Sequence, residues 1–207
     1  MTCHVRITKL TNDMATDVTG HVPTNCGKIS CMQGSTAQLL DGKTMALQLR
    51  EKVAEGVAAL KEKGISVGLG VVLVGDDPAS HVYVGMKERA CAQAGINSIS
   101  RRLPDSASLE QVLDTVHELN QDKNVQGILV QHPLPKGMDE DAAFNAIAPE
   151  KDVDGVGVVS MGKVLSDQPG YAACTAAGII NLLEAYNIEI KGKHCVVVGR
   201  SLIVGKP

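Results

Sequence analysis

Two short apolar runs constrain this chain most, Val67-Gly-Leu-Gly-Val-Val-Leu-Val74 and Gln126-Gly-Ile-Leu-Val-Gln131. Each is too continuously apolar for a strand with one wet face and suits a parallel strand buried on both sides. Around them the spacing is helical. Met45, Leu49, Val53, Val57 and Leu60 share one face of a helix between Asp41 and Gly64, which is expected to pack on the sheet. Asp77-Pro78 reads as a cap followed by proline at the first helical position, opening a helix that runs to about Gly95. A further helix is predicted over Leu109 to Leu119. His132-Pro-Leu-Pro135 ends the second strand, because proline cannot continue a central ladder. Strands alternating with helices give an α/β fold.

Beyond the second strand the pattern predicts a short helix near Asp141 to Ala148, an acidic loop Lys151-Asp-Val-Asp-Gly155, an irregular connection over 156–173 and a helix from Thr175 to Tyr186. His194-Cys-Val-Val-Val198 then reads as a strand running into the turn Gly199-Arg-Ser-Leu-Ile-Val-Gly205. Three regions are expected: an extension over 1–38, poorly ordered; an α/β domain over 39–155; and, over 156–207, a connection with the incomplete start of a second domain. The last follows because a βαβ unit needs roughly 30 residues, and little follows the glycine turn. Within the extension, one arginine (Arg6) stands beside Asp13 and Asp17, unlike an organelle-targeting leader.

Composition removes several function classes. Of 207 residues, 44% are hydrophobic and 21% charged, which is a globular balance, and the net charge of −3 offers no basic field to nucleic acid or an anionic membrane. With no Trp, one Phe and three Tyr, the chain lacks platforms on which exposed bases stack. No apolar run reaches the roughly 18 residues of a membrane span. Six dispersed cysteines in a chain of this size fit a reducing, cytoplasmic compartment. Cys26 and Cys31, near His21, have no second ligand pair at zinc spacing, so no metal is expected.

Ser80, Tyr83 and Lys87 fall on one face of the helix that begins at the carboxyl end of the first strand. An ordinary solvated helix face has the same spacing. Open parallel sheets, however, bind ligands at their carboxyl ends, and Gln131 ends the other buried strand on that side if the two are parallel. A lysine desolvated near a neutral aromatic and an amide becomes a proton donor and acceptor near neutral pH, which makes Lys87 the chemical candidate. Asp152 and Asp154 read first as turn residues, with hydrogen bonding to a ligand's ring nitrogens or amino groups as the functional alternative. Gly199 to Gly205 followed by Lys206 imitates a phosphate loop but has five residues between the glycines and Pro207 where Ser or Thr is required. It suits a dinucleotide turn better, with Arg200 available to a 2′-phosphate, although it is not G-x-G-x-x-G. Tyr-x-x-x-Lys also occurs in short-chain dehydrogenases, but there the glycine turn precedes it.

Taken together, Tyr83-Val-Gly-Met-Lys87, Gly127-Ile-Leu-Val-Gln-His-Pro-Leu-Pro135, Pro149-Glu-Lys-Asp-Val-Asp-Gly155 and Val197-Val-Gly-Arg-Ser-Leu-Ile-Val-Gly-Lys-Pro207 resemble the bifunctional methylenetetrahydrofolate dehydrogenase/methenyltetrahydrofolate cyclohydrolase family over residues 39 to 207. The resemblance implies an N-terminal α/β folate domain followed by the start of a Rossmann-like domain for NADP, with NAD the less favoured cofactor. It implies oxidation of 5,10-methylenetetrahydrofolate and hydrolysis of the product to 10-formyltetrahydrofolate, in a cytoplasmic homodimer. Lys87 would carry the hydrolytic step, with Tyr83 stacking on the folate and Gln131 bonding Lys87. Pro133 would also touch the substrate, Asp154 would hold the pterin, and Gly199, Arg200 and Ser201 would hold the NADP phosphates. The sequence departs from the family at His132, where Leu is usual, at Ala173-Cys-Thr-Ala176 in place of Pro-Cys-Thr-Pro, at Val156 and at Ser160. The chain is expected to be an incomplete record of such an enzyme; the alternative is a noncatalytic folate-binding or dimerising module.

Overall fold

The computed structural model describes residues 38–207, so the expectation of an extension over 1–38, and the cysteines within it, lie outside the described residues save for residue 38. The elements follow in the order α1 (Gly42–Glu62), β1 (Gly68–Val74), α2 (Pro78–Ala94), β2 (Asn97–Leu103), α3 (Leu109–Gln121), β3 (Gly127–Val130), α4 (Glu140–Asn145), α5 (Val158–Leu165) and α6 (Cys174–Ala185). Three parallel strands form a sheet in the order β2-β1-β3. The two apolar runs of the sequence are therefore neighbours, with Val72 of β1 opposite Val130 of β3.

Burial on both faces explains why those runs do not alternate. Side chains of a strand point to opposite faces in turn. Val72, Val74, Ile128 and Val130 pack with Val112, Val116 and Leu119 of α3 and with Ala143 of α4, while Val71, Leu73 and Leu129 pack with Val84 of α2. Gly127 is required by this packing: a Cβ there would stand 2.6 Å from Cγ1 of Val153. The loop carrying Asp152 runs alongside β3 through a parallel bridge to Ile128.

Local chemistry sets the helix ends. Asp77 accepts the backbone N–H of Ser80 at 2.7 Å, Pro78 occupies the first turn of α2, and Gly95 closes the helix at φ +76°. Ser108 and Gln111 form a reciprocal capping box at the start of α3. Among the described residues no helix is long and apolar enough to cross a membrane.

Three expectations are corrected and one unassigned stretch is placed. Helix α1 does not pack on the sheet; it lies against α2 and α6, because α2 and α3 already cover the two sheet faces. Of its predicted stripe only Val57 is buried, and Leu49, Val53 and Leu60 are 50%, 40% and 38% exposed. Asn97-Ser-Ile-Ser-Arg-Arg-Leu103, unassigned in the sequence, is β2, one of the two edge strands of the described sheet. The stretch read as irregular contains α5. Residues 194–198 form no strand, and Val198 is 97% exposed. A strand exists only with a partner for its backbone groups, and no described strand lies beside this segment.

Candidate functional site

The carboxyl ends of β1 and β3 lie on the same side of the sheet, and the site forms there. One turn beyond Tyr83 on α2, Lys87 donates from Nζ to Oε1 of Gln131, the residue after β3, at 2.8 Å. Gln131 is itself buried and held twice: its backbone N–H donates to the carbonyl of Val72 at 2.8 Å, and its side-chain Nε2 donates to the carbonyl of His132 at 2.6 Å. With the amide nitrogen occupied, the amide oxygen is left to face Lys87.

Desolvation holds the Lys87 ammonium below the ordinary lysine range, opposed by the negative charge of Asp154 and then by Cys174. The two loop aspartates divide their work. Asp152 is fully buried and accepts the N–H groups of Gly157 at 2.9 Å and Val156 at 3.4 Å, which is the turn role expected from sequence. Asp154 instead lines a cleft. Lys151 anchors the same loop to α3, donating to the carbonyls of Leu119, Asn120 and Asp122 at 3.2, 2.8 and 2.9 Å.

From the other side, α6 closes on this loop. The N–H of Cys174 donates to the carbonyl of Asp154 at 3.3 Å, and its thiol reaches the carbonyl of Val153 at 3.3 Å. Gly155, at φ +66°, permits the approach: a Cβ there would stand 2.5 to 2.7 Å from the backbone of Ala172 and Ala173. Burial and the carboxylate of Asp154 push the Cys174 thiol up to about 11, so it stays protonated at neutral pH.

The cleft, about 290 Å³, is lined by His132, Glu140, Phe144, Asp154, Cys174 and Ser201, among others. A larger cavity of about 550 Å³ lies between α5 and residues 202–207, but apart from Lys206 its walls are apolar or glycine and Asp154 is absent from them; Lys87 and Gln131 line neither cavity. The convergent polar groups favour the smaller cleft as the site. Of the residues singled out in the sequence, Lys87, Gln131 and Asp154 come together. Tyr83 is 48% exposed and, like the exposed Pro133, stands outside the cleft lining. Ser201 reaches the cleft, whereas Gly199 and Arg200 are exposed beyond it. The Gly199–Gly205 turn closes when the N–H groups of Gly205 and Lys206 donate to the Ser201 carbonyl at 3.1 and 3.0 Å.

Sequence reasoning missed Glu140, gave Cys174 no role, and noted His132 only as a departure. Glu140 accepts from Nδ1 of His132 at 3.0 Å and from the N–H of Leu134 at 2.6 Å. No spacing signals that contact, since it joins a strand end to the next helix. Among the described residues no three His, Cys, Asp or Glu side chains gather to hold a metal ion.

Comparison with known proteins gives a consistent picture. Residues 40–154 match the catalytic domain of tetrahydrofolate dehydrogenase/cyclohydrolase, and residues 173–207 match that family's NAD(P)-binding domain. The bifunctional protein FolD of Cellvibrio japonicus is 50% identical over 173 residues, covering 83% of this chain and 62% of that protein. FolD of Agathobacter rectalis is 50% identical over 171 residues, covering 83% and 61%. The chain thus spans about three fifths of the length of these relatives. Among solved structures, the FolD dehydrogenase/cyclohydrolase of Campylobacter jejuni superposes with a TM-score of 0.80 at 40% identity, over 82% of this chain and 60% of that one. The Trypanosoma brucei FolD, solved with NADP cofactor and inhibitor, gives 0.78 at 34% identity, over 82% and 59%.

Proposed function

This chain belongs to the tetrahydrofolate dehydrogenase/cyclohydrolase family, and from that premise we propose that it hydrolyses 5,10-methenyltetrahydrofolate to 10-formyltetrahydrofolate at Lys87 and oxidises 5,10-methylenetetrahydrofolate with NADP. The 2.8 Å bond that holds a desolvated Lys87 against Gln131 carries the hydrolytic reading. A lysine kept below its ordinary range can both accept and return a proton. Water adds its oxygen to the bridging carbon and gives one proton to the Lys87 amine. The bond from that carbon to N5 then breaks, N5 takes the proton from Lys87, and the hydroxyl proton leaves to solvent as the formyl carbonyl forms on N10. Gln131 fixes the amine, Asp154 accepts from the amino and ring N–H groups of the pterin, and Tyr83 and Pro133 offer apolar surface to the folate.

For the nucleotide, the donor chemistry of 199–206 fits an anionic group. Arg200 supplies a guanidinium, Ser201 a hydroxyl and Lys206 an ammonium, and Gly205 is a close approach at which a Cβ would meet the carbonyl of Gly199. Gly199, Arg200 and Ser201 would hold the phosphates, and NADP when bound supplies the hydride acceptor. The cleft's part is orientation, presenting the bridging carbon of the folate. Residues 39–155 are the folate domain in this reading, and 156–207 the connection and the beginning of the nucleotide domain. A cytoplasmic homodimer is the proposed setting.

The test is loss of 5,10-methenyltetrahydrofolate absorbance with purified chain. Hydrolysis is expected to fall by about 10²-fold or more in Lys87→Met, the scale of a lost general acid–base group. Hydrolysis that survives the substitution overturns the assignment. A cooperatively unfolding chain with no hydrolysis at all would favour the noncatalytic folate-binding module.

A further inference from the structure

The side-chain amide of Gln131 can offer Lys87 either its oxygen or its nitrogen, and only the oxygen makes a hydrogen bond with an amine that donates. What selects the oxygen is the carbonyl of His132, 2.6 Å from Nε2. The direction of that carbonyl depends on how residues 132–134 leave the sheet. On one side the ladder holds them, through Gln131 to Val72. On the other side there is no ladder: β3 is an edge of the described sheet, bridged there only from Ile128 to Asp152, and Pro133 has no N–H to give.

Glu140 fills that place. From the first position of α4, the Glu140 carboxylate meets Nδ1 of His132 with both oxygens, Oε1 at 3.0 Å and Oε2 at 3.1 Å, and its Oε1 also accepts the N–H of Leu134 at 2.6 Å, bracketing Pro133. The Glu140 side chain is 30% exposed and that of His132 57%, so the contact stands at the cleft wall. We propose that Glu140, with His132, is a positioning pair: it clamps the 132–134 segment so that the His132 carbonyl orients the Gln131 amide, which in turn holds the Lys87 amine in its desolvated position. The pair touches no reacting atom and acts through two intervening groups. The proposal rests on the role given to Lys87 above.

The charged surroundings are few. Lys87 faces Asp154 and the protonated Cys174, and its helix neighbour Glu88 is turned away to Ser100 and Arg102. His132 shares the cleft with Glu140, Asp141 and Asp154. If the clamp is released, Lys87 regains water and freedom to approach Asp154, and both move its titration up towards that of a surface lysine.

Trace acetylation with acetic anhydride across pH, read by mass spectrometry, gives the titration midpoint of Lys87 beside that of exposed Lys63 in the same chain. In the parent, Lys87 is expected to titrate below Lys63. Glu140→Ala is expected to raise the Lys87 midpoint by about half a pH unit or more, within the usual span of such shifts, and to lower kcat of methenyl hydrolysis more than it raises KM. Glu140→Gln, which keeps an acceptor for Leu134 and a polar group for His132, restores both. Should Glu140→Ala not fold, His132→Leu keeps the Leu134 contact and is expected to give a smaller rise of the same sign. An unmoved midpoint in whichever variant folds overturns the proposal. A Lys87 that titrates with Lys63 in the parent overturns instead the role given to Lys87.

Discussion

Lys151 gives the most quantitative prediction. Its ammonium receives the last carbonyls of α3, from Leu119 and Asn120, and that of Asp122 just beyond, all within 3.2 Å and partly buried. The Leu119 and Asn120 carbonyls are acceptors that the end of a helix leaves without intrahelical donors, at the pole where a cation is favoured, and the Asp122 carbonyl also accepts the N–H of Val125 at 3.2 Å. Lys151→Met retains the aliphatic stem and removes the donors. One charge-assisted bond is worth about 1.5–3 kcal/mol and the helix-end attraction about 0.3–1 kcal/mol. Because three bonds to one group do not add, the expected loss is about 2–4 kcal/mol. At roughly 2–4 °C per kcal/mol for a domain of this size, the melting temperature falls by roughly 4–16 °C. Urea unfolding checks this directly, with an unchanged slope and a lower midpoint. Lys123→Met, at an exposed lysine near the same helix end, should stay within about 0.5 kcal/mol of the parent. If the two variants unfold together, the carbonyl cage contributes nothing and the reasoning fails. The loss should reach the site as well, because Lys151 tethers the loop that carries Asp154.

Two further predictions come from proton affinities. Lys87 has a folded-state affinity below its unfolded one, so the unfolded chain binds more protons and the folded state gains stability as pH rises towards the ordinary lysine value of 10.5. Relative to Lys87→Met, the parent should therefore gain stability from pH 7 to pH 10 in urea unfolding, and parallel curves would refute the desolvation. The Cys174 thiol, raised to about 11 by burial and Asp154, should react with iodoacetamide at a rate still climbing between about pH 9 and pH 10.5, since the thiolate is the nucleophile. A plateau below pH 9 would refute the assignment, and Asp154→Asn should move the rise to lower pH.

The strands that make the core were legible because burial on both faces leaves nothing for a polar residue to do. Val71, Val72, Leu73 and Val74 form a continuous apolar word, and Asp77-Pro78 and Gly95 punctuate the helix after it. The edge strand β2 was not legible. Unlike β3, which is also at an edge but buried along its length, Asn97-Ser-Ile-Ser-Arg-Arg-Leu103 carries polar side chains towards water, so composition marks it as a loop. The opposite error, at 194–198, has the same root. Val196, Val197 and Val198 have the right letters for a strand, but letters state a tendency, and only a neighbour supplies the ladder. The stripe on α1 likewise predicted a buried face, and three of its members remain partly in water because the sheet faces were already covered.

At the site, helical spacing and strand ends were enough to bring Lys87 to Gln131, since both rules concern where a backbone element starts and stops. They could not reach Glu140, Cys174 or Lys151. Each acts on a backbone carbonyl or N–H of a different element, and any residue can present such a group, so the partner leaves no mark in its own side chain. The contacts that decide where Lys87 and Asp154 point are thus of the kind that sequence hides most completely. A substitution at Glu140 or Lys151 would look like a change of surface charge, yet each should alter the site through one or two hydrogen-bonded steps. That asymmetry makes the parent's Lys87 titration the sharper assay, because it reads the outcome of the whole chain of contacts at the one group they serve to hold.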